Sequence, residues 1–291
     1  MIAQFALRLI CGMSLMWALM PRRQVTSGFF RIQMLVAMGL GTLAALSAAM
    51  EVRSITGAAH SSELGWLPIL MSLSVGLIAL LGLLGFVGSV LWTLERRTGA
   101  ERVGFGVLFL STAFIVVPHF TPNVVIYIAD TMVVGMGRSV ATSRLTEALI
   151  AASEFAGAGL LGSTVVGMLL GHWYLTTPTM SIEPLKRLNL FLGVACLLRL
   201  IVSAAVVLML WGEAFNSSET SLRLAAVPKA WLGLRWLAGI IGPLVVSLMV
   251  WRILKYRNTQ AATGVLFVGV ILAFIGDMTA ALLLNETKLP L

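Results

Sequence analysis

Continuous apolar runs of about 20 residues recur along the whole chain. That length carries an α-helix across roughly 30 Å of hydrocarbon. The stretch "LPILMSLSVGLIALLGLLGFVGSVLW", residues 67–92, holds no charge at all. In lipid every backbone N–H and C=O must be satisfied within the segment, so such runs are helices or strands of a closed barrel. Barrel strands read as ten-residue segments of alternating polarity, and these runs are apolar throughout. The expected fold class is therefore all-α, a polytopic transmembrane helix bundle forming a single integral membrane domain over residues 1–291.

The surface chemistry agrees. Only 11% of residues are charged, against about 25% in a typical soluble domain. Net charge +8 would point to nucleic acid in a soluble protein. Here the cations stand in short loops beside the spans, as the positive-inside bias requires, so no nucleic-acid partner is expected. Cys11 and Cys196 both fall inside apolar runs and read as small buried hydrophobes with no disulfide framework. At the N-terminus, Arg22 and Arg23 follow the apolar stretch, whereas a signal peptide carries its charges before it. Arg8 at the −3 position before Cys11 spoils a lipoprotein cleavage site. This end reads as a retained first span.

The runs predict eight spans, at about 2–20, 29–50, 66–94, 103–117, 146–171, 187–212, 236–254 and 263–284. Residues 124–137 are apolar but short, contain Asp130, and lie between Pro118, Pro122, Gly135 and Gly137. Such a length fits an interfacial or re-entrant segment, with a ninth span as the alternative. The segment "SLRLAAVPKAWLGLRW", 221–236, sets Arg223, Lys229 and Arg235 among Leu and Trp. It reads as an interfacial amphipathic segment leading into the seventh span.

Orientation follows from Lys and Arg. Eleven of them fall with the odd-numbered loops: Arg22, Arg23, Arg31, Arg96, Arg97, Arg102, Lys186, Arg187, Arg252, Lys255 and Arg257. Eight fall on the opposite side, Arg8 and Arg235 among them. The bias predicts a multi-pass protein of the inner (plasma) membrane with its N-terminus outside.

Motifs for cofactors are missing from the sequence. There is no Cys-x-x-Cys, no His-Glu-x-x-His and no Walker A. His60, His119 and His172 all sit near span ends, and no span carries a central His to ligate a buried haem. No metal, and no cofactor held by this chain alone, is expected; a quinone or a lipid remains as a candidate ligand. "GHWYLTTP", 171–178, sets His172, Trp173 and Tyr174 where the fifth span should end near Gly171. A helix C-terminus favours a cation and headgroup depth favours amphipathic aromatic rings. The stretch reads as an interfacial turn, or as a site where His172, Trp173 and Tyr174 meet a partner or a quinone head group.

Charge inside the spans is the sharper signal. An ionisable residue at a helix centre costs at least ~2.5–3.5 kcal/mol on the insertion scale, so it is expected to be paired or functional. Three stand in the second half of the chain: Glu154, Arg199 and Asp277. By helical rise Glu154 and Asp277 lie roughly 12 Å from the same outer side and Arg199 roughly 20 Å. Arg199 has a side chain long enough to snorkel outward toward them. Small residues surround Glu154 in "SEFAGAGLLGST", allowing close helix approach, and Glu147 lies one heptad earlier. The cluster of Glu154, Arg199, Asp277 and Glu147 is either a functional pocket or a structural ion pair locking three helices.

Whether the chain is an enzyme is not decided by these features. They lead first to a membrane subunit of a larger energy-converting or electron-transfer assembly, surrounded by lipids and other membrane subunits. Its buried polar site would serve protons or a quinone-type ligand. Two alternatives stand beside it: a small proton-coupled secondary transporter gated by 118–137, and a scaffold or assembly factor whose charges are purely structural.

Overall fold

The computed structural model describes residues 2–58, 67–120, 144–177, 179–216 and 229–287. Helices follow one another as α1 (Ile2–Leu19), α2 (Ser27–Ala58), α3 (Leu67–Thr93), α4 (Arg97–Phe120), α5 (Arg144–Thr176) and α6 (Glu183–Asn216). Then α7 (Lys229–Trp236) runs through a π-helical turn, Leu237–Ile241, into α8 (Gly242–Lys255), and α9 (Thr259–Thr287) follows. Among the described residues, eight helical segments are long and apolar enough to cross a membrane, α7 and α8 counting together as one. The protein is an all-helical, multi-pass membrane bundle of about eight spans. Segment 124–137, read as interfacial or re-entrant, lies outside the described residues, as do His60 and residues 221–228.

Several boundaries differ from the sequence reading, among them the end of α2, at Ala58 rather than 50, and three with an identifiable local cause. The fourth span begins at Arg97, not 103. Its start is set by a tight turn in which Glu95 adopts φ 55° and the Arg96 N–H donates to the Leu91 carbonyl at 3.0 Å. A left-handed residue of this kind closes a helix in one step. Arg257, with φ 55°, does the same between α8 and α9. The fifth span does not stop near Gly171 but continues to Thr176. Gly171 gives α9 room: a methyl group there would come 2.5 Å from the Thr263 hydroxyl oxygen.

The seventh span starts at about 230 rather than 236. Pro243 explains the π turn within it. A proline ring collides with the carbonyl four residues back, here Gly239, and one wider turn opens the backbone at that point.

Packing sorts the helices into centre and edge. In α1 and α5, 67% of the spanning window is buried, against 28% in α2 and 22% in α3. Lipid tails are as apolar as leucine, so close backbone approach and polar contacts hold such helices together. Gly12 of α1 lies so tightly on α5 that a side chain there would collide with the Ala158 carbonyl and the Gly162 backbone. Around this crossing Met13, Trp17, Leu160, Leu161, Leu188 and Leu266 form the main apolar core.

Candidate functional site: a buried ion-pair network

Four elements converge near one end of the bundle, each bringing a charge. Arg8 comes from α1, Glu154 from α5, Arg199 from α6 and Asp277 from α9. Arg8 is the hub. One guanidinium nitrogen lies 3.3 Å from a Glu154 carboxylate oxygen, and the other terminal nitrogen lies 3.3 Å from Asp277. Asp277 also faces Arg199 at 3.7 Å through its second oxygen. Arg199 reaches back toward the Ser153 carbonyl at 3.5 Å. Charge-assisted N–H···O bonds usually measure about 2.7–2.9 Å. These pairs are looser, so the charges face one another without being locked into one bidentate geometry.

Burial separates the two carboxylates. Side-chain exposure is 19% for Glu154 but only 2% for Asp277, while Arg8 and Arg199 show 6% and 3%. Local sequence makes the room. A side chain on Gly157, one turn below Ser153, would strike the Arg199 guanidinium and would come 3.4 Å from Asp277. Glycine at 157 is therefore what lets Arg199 lie flat against α5.

Of the residues singled out from sequence, Glu154, Arg199 and Asp277 do come together, but not as a simple triad. Glu154 pairs with Arg8, not directly with Arg199. Arg8, which the cation tally places on the outer flank of the first span, is buried within α1. Its signal was available: an arginine six residues into an apolar helix lies only roughly 9 Å from the helix start, close to the depth already assigned to Glu154.

Arg235 is a second correction. Read as part of an interfacial amphipathic segment, it is 1% exposed and lies within electrostatic range of Arg199, Asp277 and Arg8. Gly239 packs against both it and Gly276. The π turn that follows Arg235 thus sits directly beside the network. Glu147 belongs to α5 one heptad before Glu154, but its side chain lies outside the described residues.

The His172 region is also rearranged. His172 is exposed, four residues before the last residue of α5. Trp173 and Tyr174 were expected at headgroup depth. Trp173 is half-buried, donating from Nε1 to the Thr26 hydroxyl at 2.8 Å and packing on Phe29. Tyr174 is buried and donates its hydroxyl to the Ser181 carbonyl. The pair ties the end of α5 to the start of α2 and to the turn before α6. Among the described residues, no three His, Cys, Asp or Glu side chains gather as a metal site.

No protein-family model, curated protein or solved structure matches this chain.

Proposed function

We propose that the chain is a membrane subunit of a larger energy-converting or electron-transfer assembly, in which Glu154, Arg8, Asp277 and Arg199 form a proton-handling site. The carrying observation is one guanidinium shared by two carboxylates of unequal exposure. Such an arrangement has two natural states. When Glu154 is ionised, Arg8 divides between it and Asp277. When Glu154 takes a proton from the more open side, Arg8 turns wholly to Asp277. A proton on Glu154 thereby changes the field felt by a buried carboxylate on another helix, which is the kind of coupling a proton pathway or a neighbouring quinone requires. Wide apolar faces on α6, including Leu190, Ile201 and Leu208, offer room for other membrane subunits as well as lipid.

A second reading is favoured by the enclosure of Asp277 and Arg199: a structural clamp joining α1, α5, α6 and α9 in a scaffold. Infrared difference spectra of the membrane-embedded protein distinguish the two. On acidification a carboxylic-acid carbonyl band should appear, disappear in Glu154→Gln and persist in Glu147→Gln. Glu154→Gln should fold normally and lower the proton-linked turnover of the assembly that co-purifies in mild detergent. No titrating band at Glu154, or full turnover in the stable variant, would leave the clamp.

The orientation belongs to the same proposal. Removing buried Arg8 and Arg235 from the outer tally leaves six cations there against eleven on the other side. This sharpens the case for an inner-membrane protein with its N-terminus outside. Reporter fusions after Arg23, Arg97, Arg187 and Arg257 should all report the cytoplasm; a periplasmic signal from Arg97 reverses the orientation. A fusion at Leu291 should report outside for eight spans and the cytoplasm for nine.

A further inference from the structure

A groove of about 620 Å³ runs between α6 and α8, with its mouth at the start of α6 and the end of α8. This volume lies in the range of small-ligand sites, about 300–1,000 Å³. Its mouth is cationic: Lys186 and Arg187 stand in the first turn of α6 and Lys255 at the last residue of α8. All three are exposed. Glu183 bridges Arg187 at 3.4 Å, with both side chains about half-exposed. Such an exposed i,i+4 pair is weak, about 0.3–0.5 kcal/mol, so Arg187 remains available to a stronger anion. Lys255 is held over the Trp251 ring at 3.8 Å, which fixes its ammonium at the rim.

Below the mouth the lining turns apolar. Leu190, Val194 and Leu197 line one side, and Leu248 and Trp251 the other. From Glu183 to Leu197 the groove follows α6 for roughly 21 Å, the scale of half a bilayer or more. One polar step interrupts it. Asn189 and Ser247 bond each other reciprocally, Asn189 Nδ2 donating to the Ser247 carbonyl at 3.1 Å and Ser247 Oγ donating to the Asn189 carbonyl at 3.3 Å. Asn189 is 5% exposed, and its Oδ1 has no hydrogen-bond partner among the described residues. It lies one turn below Lys186 on the groove wall.

From this juxtaposition of a three-cation rim and a long apolar wall, we infer that the α6–α8 groove is a specific site for an anionic phospholipid. The phosphate sits among Lys186, Arg187 and Lys255, and the acyl chains run along Leu190, Val194 and Leu197. Basic pockets between spans at an anionic leaflet bind lipid head groups in this way. The inference stands apart from the proton reading, since it shares no residue with the ion-pair network.

The test uses the full chain, purified in mild detergent and examined by native mass spectrometry while being titrated with phosphatidylglycerol or phosphatidylcholine. Phosphatidylglycerol should be retained one per chain and at least about tenfold more tightly than phosphatidylcholine. Replacing the rim cations together (K186Q, R187Q, K255Q) should weaken phosphatidylglycerol binding roughly a hundredfold, on the scale of one decade for each one to two surface cations. V194W, which fills the apolar wall and leaves the rim intact, should weaken both lipids. It also decides the matter if the triple variant fails to accumulate. Equal retention of the two lipids, or unchanged binding in V194W, overturns the site. So does a stoichiometric neutral quinone displaced by V194W, or a polypeptide cross-linked from position 194.

Discussion

The α1–α5 and α2–α3 helix pairs both meet through glycine, but among the described residues only the first is joined by a buried ion pair. In α1–α5 the backbone of Gly12 lies against Ala158 and Gly162. In α2–α3 a side chain on Gly41 would come 2.6 Å from the Gly82 nitrogen, and one on Gly85 would come 2.7 Å from the Met38 nitrogen. The contacts are alike, yet the surroundings differ. The central pair is enclosed by α4, α6 and α9, while much of α2 and α3 faces outward, with Leu43, Leu46, Leu73 and Leu83 exposed. Close backbone approach holds helices together in either setting. An ionised group is tolerable only where neighbours from several helices surround it. Arg8 and Glu154 accordingly lie on the two most enclosed spans.

The strongest way to break this comparison is to force the central crossing apart. Gly12→Leu drives a branched side chain into the Ala158 carbonyl, and backbone cannot move aside as a flexible side-chain tip does. Overpacking typically costs ~1–3 kcal/mol and more where backbone is the obstacle. The same movement separates Arg8 from Glu154. Folded protein should therefore fail to accumulate, or should melt well below wild type in detergent. Gly39→Leu is the control on the peripheral pair. Nothing lies within 4 Å of a methyl group there, and leucine is the better helix former by up to ~1 kcal/mol. Its melting temperature should equal or slightly exceed that of wild type. Wild-type stability in Gly12→Leu would refute the close α1–α5 crossing.

What the sequence disclosed follows the same division. Long apolar runs are a compositional property, so the spans were legible one by one. Glu154, Arg199 and Asp277 were legible because a charge inside an apolar run is conspicuous and helical rise converts its position into depth. Arg8 was hidden by its nearness to the chain end, where a cation passes for a flank. Arg235 was hidden by Lys229 and Arg223 before it, which gave the segment an amphipathic look. The roles of Trp173 and Tyr174 depend on Thr26 and Ser181, one of them 147 residues away along the chain. Composition locates such aromatics near an interface, and only the tertiary fold reveals which polar atoms they hold. Gly171 shows the limit of punctuation rules: it serves a helix contact rather than a helix end.

A gentler perturbation asks whether the central charges act as pairs. The network predicts an asymmetry that a simple triad would not. In Arg199→Leu, Asp277 keeps Arg8 at 3.3 Å, so the carboxylate is not wholly stranded. In Asp277→Leu, Arg8 keeps Glu154 at 3.3 Å, but Arg199 loses its one carboxylate contact within 4 Å among the described residues. Arginine cannot shed its charge to escape. Leaving one member of a buried pair uncompensated typically costs ~3–5 kcal/mol, and Asp277→Leu should fall in that range while Arg199→Leu falls below it. Removing both should restore part of the loss, because neither charge is then stranded. Chemical denaturation in detergent gives the three values. The double variant should be more stable than Asp277→Leu alone, with a coupling of at least ~1 kcal/mol. Additivity within ~0.5 kcal/mol would mean that Arg199 and Asp277 do not sense each other across 3.7 Å.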